Sequence, residues 1–167
     1  MCGTNLKISL IKQNLRYDPE TGNLWWIQRR SGRQSGKPAG NNKGDYIQIH
    51  ITSCEGRFLV YAHVVAYVIM TGVWPEHTVD HKDRNGLNNK WDNLRLATRS
   101  ENSSNRGKRY SNHSGFKGVS KNGNKWVARV TKDYKTVYLG SYSSKEEAHQ
   151  AYKDKARELF KDFYCDT

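Results

Sequence analysis

Three things are scarce in this sequence, and each scarcity removes a class of protein. Cysteine occurs only as Cys2, Cys54 and Cys165, far apart and without a Cys-x-x-Cys pair. That spacing supports neither a disulfide framework nor a zinc ribbon, so no structural zinc is predicted and the thiols are expected to be reduced. Long apolar runs are also missing. The longest, around residues 64–70, falls far short of the roughly 20 residues that span a bilayer. The opening "MCGTNLKISLIKQNL" lacks a signal peptide's apolar core and cleavage site, and Gly3 does not sit at the myristoylated position. A cytoplasmic protein with no membrane partner is expected. The third deficit is acidic: 16 Asp and Glu stand against 28 Lys and Arg, a net charge of +12. A polyanionic partner follows, nucleic acid first.

What is present is unevenly distributed. Between residues 99 and 135 there are ten basic residues against Glu101 and Asp133, a net of +8, two-thirds of the whole excess. The length of 167 residues suits one or two small domains. From Tyr17 to about Tyr61 the pattern is of short antiparallel strands. "YDPETG" is a turn, "NLWWIQ" an aromatic strand in which Trp25 or Trp26 packs, and "SGRQSGKPAGNNKGD" a loop. In "YIQIHI" the residues Ile47, Ile49 and Ile51 alternate with polar neighbours, the period of a half-buried strand. "SCEG" returns the chain into "RFLVY", and "AHVVAYVIMTG" reads as a buried helix closed by Gly72. His63 near its start, like His50, His77, His113 and His149, reads as a structural histidine.

The stretch "VDHKDRNGLNNKWDNLRLATRSEN", residues 79–102, carries the chemistry. "TVDH" predicts a strand, "KDRNGLNN" a loop, and "NLRLAT" a second strand with Leu94 and Leu96 on one face. Thr98 and Glu101 then form a capping box that starts a helix bearing Asn102. If that helix packs across the hairpin, Asn102 faces Asp80 and His81. An Asp carboxylate and an Asn carbonyl are hard oxygen ligands suited to magnesium, and a neighbouring histidine serves as a general base near neutral pH. Those are the parts for hydrolysing a phosphodiester.

Asp80-His81, Asn93 in "DNLRLAT" and Asn102 in "SENSSNR" resemble the HNH endonuclease motif, in the variant of phage and intron-encoded homing endonucleases. The upstream "YDPETGNLWW", "GKPAG" and "AHVVAYVIMTGVWPEHTVDHKD" are similar to the amino-terminal part of these enzymes. The resemblance implies that His81 is the base, that Asp80 and Asn102 hold one divalent cation, Mg2+ or Mn2+, and that Asn93 braces the loop beneath His81. It also implies a bacterial host cell harbouring a phage or mobile element. Many members carry His where Asn102 stands, and some carry a second ligand one turn later, where this chain has Arg106. Arginine pairs with phosphate instead.

The segment from about Ser114 to Phe163 reads as three strands, "FKGVSKN", "KWVARVT" and "TVYLGSY". An amphipathic helix follows, capped by Ser143 or Ser144, with Ala148, Ala151, Tyr152, Leu159 and Phe160 as its packing stripe. One sheet face is expected to offer Lys117, Lys121, Arg129 and Lys132 to double-stranded DNA. "KGV", "KWVARV", "YLGSY" and "EEAHQAY" resemble the ethylene-response-factor (APETALA-like) DNA-binding domain. Ser120, Asn122, Asn124, Thr136 and Tyr138 depart from the residues plant members use to read DNA. Arg106, Lys108 and Arg109 add basic charge in the linker.

The expected fold class is therefore α+β: a ββα-metal (HNH) nuclease domain with an amino-terminal antiparallel β extension, then a small three-stranded sheet plus helix. The boundaries are 1–107 for the nuclease domain, with its core at about 77–106, 108–113 for a basic linker, and 114–167 for the DNA-binding domain. The expected activity is site-specific cleavage of DNA by a monomer or a dimer on DNA. The rival reading is a noncatalytic DNA-binding regulator with a degenerate HNH domain.

Overall fold

The computed structural model describes residues 6–27, 36–54, 56–105 and 112–164. The chain divides into two compact units, Met1–Leu96 and Ala97–Thr167.

The first unit opens with helix α1 (Ile8–Asn14), whose Ile11 is fully buried. The sequence gives little sign of it, because seven residues complete only two turns and show no clear stripe. Strands β1 (Leu15–Tyr17) and β2 (Leu24–Trp26) pair antiparallel, with Tyr17 opposite Leu24. Their connection is a turn in which the Asp18 carboxylate accepts the Glu20 N–H at 3.0 Å and the Thr21 hydroxyl at 2.7 Å. These bonds hold Asp18, an exposed group, below the usual carboxylate range, the Thr21 hydroxyl contributing most. Trp26 packs on the core.

A second sheet has the order β3-β4-β5: β3 (Asn41–Lys43), β4 (Tyr46–Ser53) and β5 (Gly56–Tyr61). Strand β3 falls inside the stretch expected to be all loop. Its three residues are polar and exposed, so no apolar alternation marks them; pairing with β4, Asn41 opposite Gln48, makes the strand. On β4 the predicted alternation holds, with Ile49 and Ile51 fully buried. Helix α2 (Ala62–Thr71) buries Ala62, His63, Val65, Ala66 and Val68. It stops at Gly72, which adopts the left-handed conformation and donates its N–H to Val68 at 3.0 Å. Helices α1 and α2 pack together, and α2 also lies on β4 and β5. Strands β6 (Thr78–His81) and β7 (Leu94–Ala97) form a two-stranded sheet, joined by a loop ending in a 3-10 turn at Trp91–Asn93.

The second unit carries α3 (Arg99–Asn105). The capping box is formed: the Thr98 hydroxyl accepts the Glu101 N–H at 3.3 Å, and the Glu101 carboxylate accepts the Thr98 N–H at 2.8 Å. Strands β8 (Val119–Asn122), β9 (Lys125–Lys132) and β10 (Lys135–Tyr142) make an antiparallel sheet with β9 central. Helix α4 (Lys145–Phe160) begins at Ser144, whose hydroxyl accepts the Glu147 N–H at 3.2 Å. Ala148, Tyr152, Ala156 and Phe160 recur at helical spacing and bury against Val119, Ala128 and Val130. Helix α3 belongs to this unit's packing: Ser100 accepts the Asp133 N–H at 3.0 Å, and the Lys117 ammonium donates to the Ser104 carbonyl. Among the described residues no helix is long and apolar enough to cross a membrane.

Candidate active site

Side chains on a strand alternate between its faces, so two consecutive buried polar residues need cover on both sides. Strand β6 ends with such a pair, Asp80 at 8 % and His81 at 4 % exposure. Asp80 is covered from β7, where Arg95 bonds one carboxylate oxygen through Nε at 3.0 Å and Nη2 at 3.0 Å. A buried carboxylate without a partner would be costly, and the guanidinium supplies that partner while fixing the carboxylate's orientation. His81 is covered from the β6–β7 loop, where Asn89, only 1 % exposed, brings its side-chain oxygen to 3.1 Å from Nε2.

The loop itself is a closed hydrogen-bond cage. Asn93 Oδ1 accepts the Asp83 N–H at 3.0 Å, while Asn93 Nδ2 donates to Asp83 Oδ1 and to the Asn88 carbonyl, each at 2.8 Å. The Asn93 carbonyl accepts the Lys82 N–H at 2.9 Å. Asp83 also accepts from the Asn88 side chain at 2.7 Å and the Asn85 N–H at 2.9 Å. Partial burial alone would raise the Asp83 pKa, but the bonds from Asn88, Asn85 and Asn93, with His81 nearby, outweigh it and hold the carboxylate low. The loop tip meets β4 at Gly86, where a Cβ would lie 2.2 Å from the Asp45 carbonyl oxygen.

An aromatic wall closes the other side of His81. His63 meets His81 edge-on at 5.0 Å between ring centroids, Tyr61 stacks on His63 at 5.5 Å, and Tyr46 lies 6.0 Å from His81. Burial, assisted by the neighbouring His81, pushes the His63 pKa down to about 3. At neutral pH His63 is therefore an uncharged ring packed against the candidate base.

Residues 60–104 match the HNH endonuclease family model. This stretch, from the end of β5 to α3, is thus similar to an HNH endonuclease domain. The chain is also 36% identical, over 109 residues, to a protein of Acanthamoeba polyphaga mimivirus named as an uncharacterized HNH endonuclease. That alignment covers 65% of this chain and 56% of the relative, so the chain spans little more than half the relative's length. No solved structure matches the chain.

Of the residues expected in the HNH site, Asp80, His81 and Asn93 come together on β6 and the loop behind it. Asn102 lies on α3, within the second unit, and is partly buried. Asp80 offers a carboxylate, the hard oxygen donor that Mg2+ or Mn2+ takes. Among the described residues no cluster of three or more His, Cys, Asp or Glu is placed to hold a metal ion. Asn89 and Arg95 were not singled out in the sequence. Arg95 could have been found as the counter-charge that a buried Asp80 requires; Asn89 is hidden in a run of asparagines that all suit turns.

The basic residues expected to share one sheet face do not. Arg129 pairs with Tyr138 on the face away from α4, whereas Lys132 and Lys121 have the parity of the core residues Val130 and Val119. A period of two separates positions an odd number apart, so 129 and 132 cannot point the same way. Lys132 donates to the Leu159 carbonyl at 2.9 Å and lies over the Phe160 ring, while Lys121 lies over Trp126 at 5.9 Å. Lys117 is engaged at the end of α3. Arg129, Lys125 and Tyr138 are exposed on the outer face, together with the polar Ser120, Asn122, Thr131 and Thr136. Arg106, Lys108 and Arg109 lie outside the described residues.

Proposed function

We propose that this protein is a DNA endonuclease of the homing type that hydrolyses phosphodiester bonds with His81 as general base and one divalent cation that takes Asp80 as a ligand. The observation that carries the reading is the pair at the end of β6, a buried carboxylate oriented by Arg95 beside a buried imidazole oriented by Asn89. Such a pair is an expensive thing to bury unless it serves chemistry. When bound, Mg2+ or Mn2+ supplies positive charge that offsets the charge building on the phosphate and the departing oxygen. His81 accepts a proton from water as that water attacks phosphorus. The bond from phosphorus to the 3′ oxygen breaks, leaving a 3′-hydroxyl and a 5′-phosphate. Asn93 keeps the loop under His81 closed throughout.

On this reading β6, β7 and the loop between them belong to a nuclease of the ββα-metal class, and the second unit's sheet, similar to the ethylene-response-factor domain, presents Arg129 and Lys125 of its outer face to duplex DNA. The enzyme acts in the cytoplasm of the cell that harbours its gene. One site per chain nicks one strand per binding event; a dimer on DNA cuts both.

The test is a supercoiled-plasmid assay with Mg2+ or chelator, using target DNA from the gene's own neighbourhood and from a relative lacking the insertion, with His81→Ala alongside. Expected is Mg2+-dependent nicked or linear product, reduced by about 100-fold or more in the variant. Tight, sequence-selective binding without breakage would replace this reading by the noncatalytic regulator.

A further inference from the structure

The residue that orients His81 is itself held by a part of the chain outside the segment matching the family model. Asn89 Nδ2 donates to the Leu87 carbonyl at 3.3 Å, which leaves Oδ1 as the atom turned to His81 Nε2. An amide oxygen only accepts, so Nε2 must carry the hydrogen. In the neutral ring the lone pair then sits on Nδ1. Behind Asn89 stands the β1–β2 hairpin. The Tyr17 hydroxyl donates to the Asn89 carbonyl at 2.6 Å across 72 residues of sequence, and the Trp91 N–H donates to the Pro19 carbonyl at 3.0 Å. Gly22, at φ +76°, approaches so closely that a Cβ there would stand 2.6 Å from the Asn89 carbonyl carbon and 2.5 Å from the Lys90 nitrogen. Burial, with Asp18 and Asp92 nearby, pushes the Tyr17 pKa up to about 12, so the hydroxyl stays a donor throughout the working range.

We propose that Asn89 is a positioning residue that locks His81 in the Nε2–H tautomer, and that the amino-terminal hairpin is the clamp that holds Asn89 in place. The proton-accepting nitrogen of His81 is then Nδ1. The catalytic consequence rests on the nuclease reading above; the tautomer does not.

The two are separated by two measurements on the full chain. In protein carrying 15N-labelled histidine, at a pH where the ring is neutral, long-range 1H–15N correlation spectra report the tautomer, with His81 assigned by its loss in His81→Ala. Expected is a single Nε2–H form in the wild type, a mixture in Asn89→Leu, which keeps the side chain's bulk but has no acceptor, and recovery of the single form in Asn89→Asp, which keeps the acceptor. In plasmid nicking, Asn89→Leu should lower kcat by about 10- to 100-fold while KM for DNA stays within about twofold, because the amide touches the base and not the substrate. An Nδ1–H form in the wild type overturns the proposal without any variant being needed. So does an unchanged tautomer in Asn89→Leu, or full activity. A wild-type protein that shows the Nε2–H form but cuts no DNA would sink the nuclease reading and leave the clamp standing.

Discussion

His63 shows how a residue that looks inert from sequence acquires a measurable role from its surroundings. It sits in the aromatic wall beside His81, and its ordinary pKa of 6.5 is pushed down to about 3 by burial and by His81. In the unfolded chain the same ring takes up a proton as pH falls through 6.5. Between 6.5 and about 3 the unfolded state therefore holds the extra proton, and stability, complete above 6.5, falls as pH falls through that window. The slope from this one group approaches about 1.4 kcal/mol per pH unit. Urea unfolding followed between pH 7 and 4.5 should show His63→Phe losing less stability than the wild type, with the gap widening as pH drops. Parallel curves for the two proteins would mean that His63 is protonated in the fold. At this scale the sequence offers candidates more readily than their support. Asp80, His81 and Asn93 stand out by type and spacing, whereas Asn89 and Arg95 enter through distances that no local pattern encodes.

Among the elements, the β6–β7 loop is the one whose rigidity the site depends on. Asn93 ties its two ends together with three side-chain hydrogen bonds, two of them to Asp83. Asn93→Ala removes all three, a loss of about 0.5–1.5 kcal/mol for each bond, and turns the exposed Asp83 N–H over to solvent. The expected result is faster amide exchange in the loop and a lower kcat with near-normal DNA affinity; full cleavage would contradict the bracing role. The long elements were legible because their periodicities are strong: the isoleucines of β4, the stripe of α4, the capping box of α3. Short ones were not. Strand β3 exists by pairing alone, and α1 is too brief to show a period. The sheet of the second unit illustrates a different failure. Its three strands are plain in the sequence, but shared charge suggests a shared face where strand alternation separates Arg129 from Lys121 and Lys132.

For the whole molecule, the net charge of +12 sets how binding responds to salt. Each phosphate neutralised by a lysine or arginine releases counterions, so affinity falls with salt at a slope set by the number of contacts. Arg129→Ala should weaken duplex binding and flatten that slope by about 1, measured by fluorescence anisotropy at several salt concentrations. An unchanged slope would take the outer face of this sheet out of the interface. Lys132→Ala, by contrast, should act on stability, since that ammonium closes the end of α4 at the Leu159 carbonyl.

The hydrogen bond from Tyr17 to Asn89 joins residues 72 positions apart, and that separation has a kinetic meaning. Closing so long a loop is entropically demanding, and contacts of this range form late on the way to the native state. The hairpin leaves the ribosome well before the loop it will clamp, and must wait for α2 and β6 to be made and packed. A chain caught part-way, or one nicked between the two, would have its helices and strands but not a held His81. On the nuclease reading, cleavage of DNA is thereby withheld until this long-range contact closes.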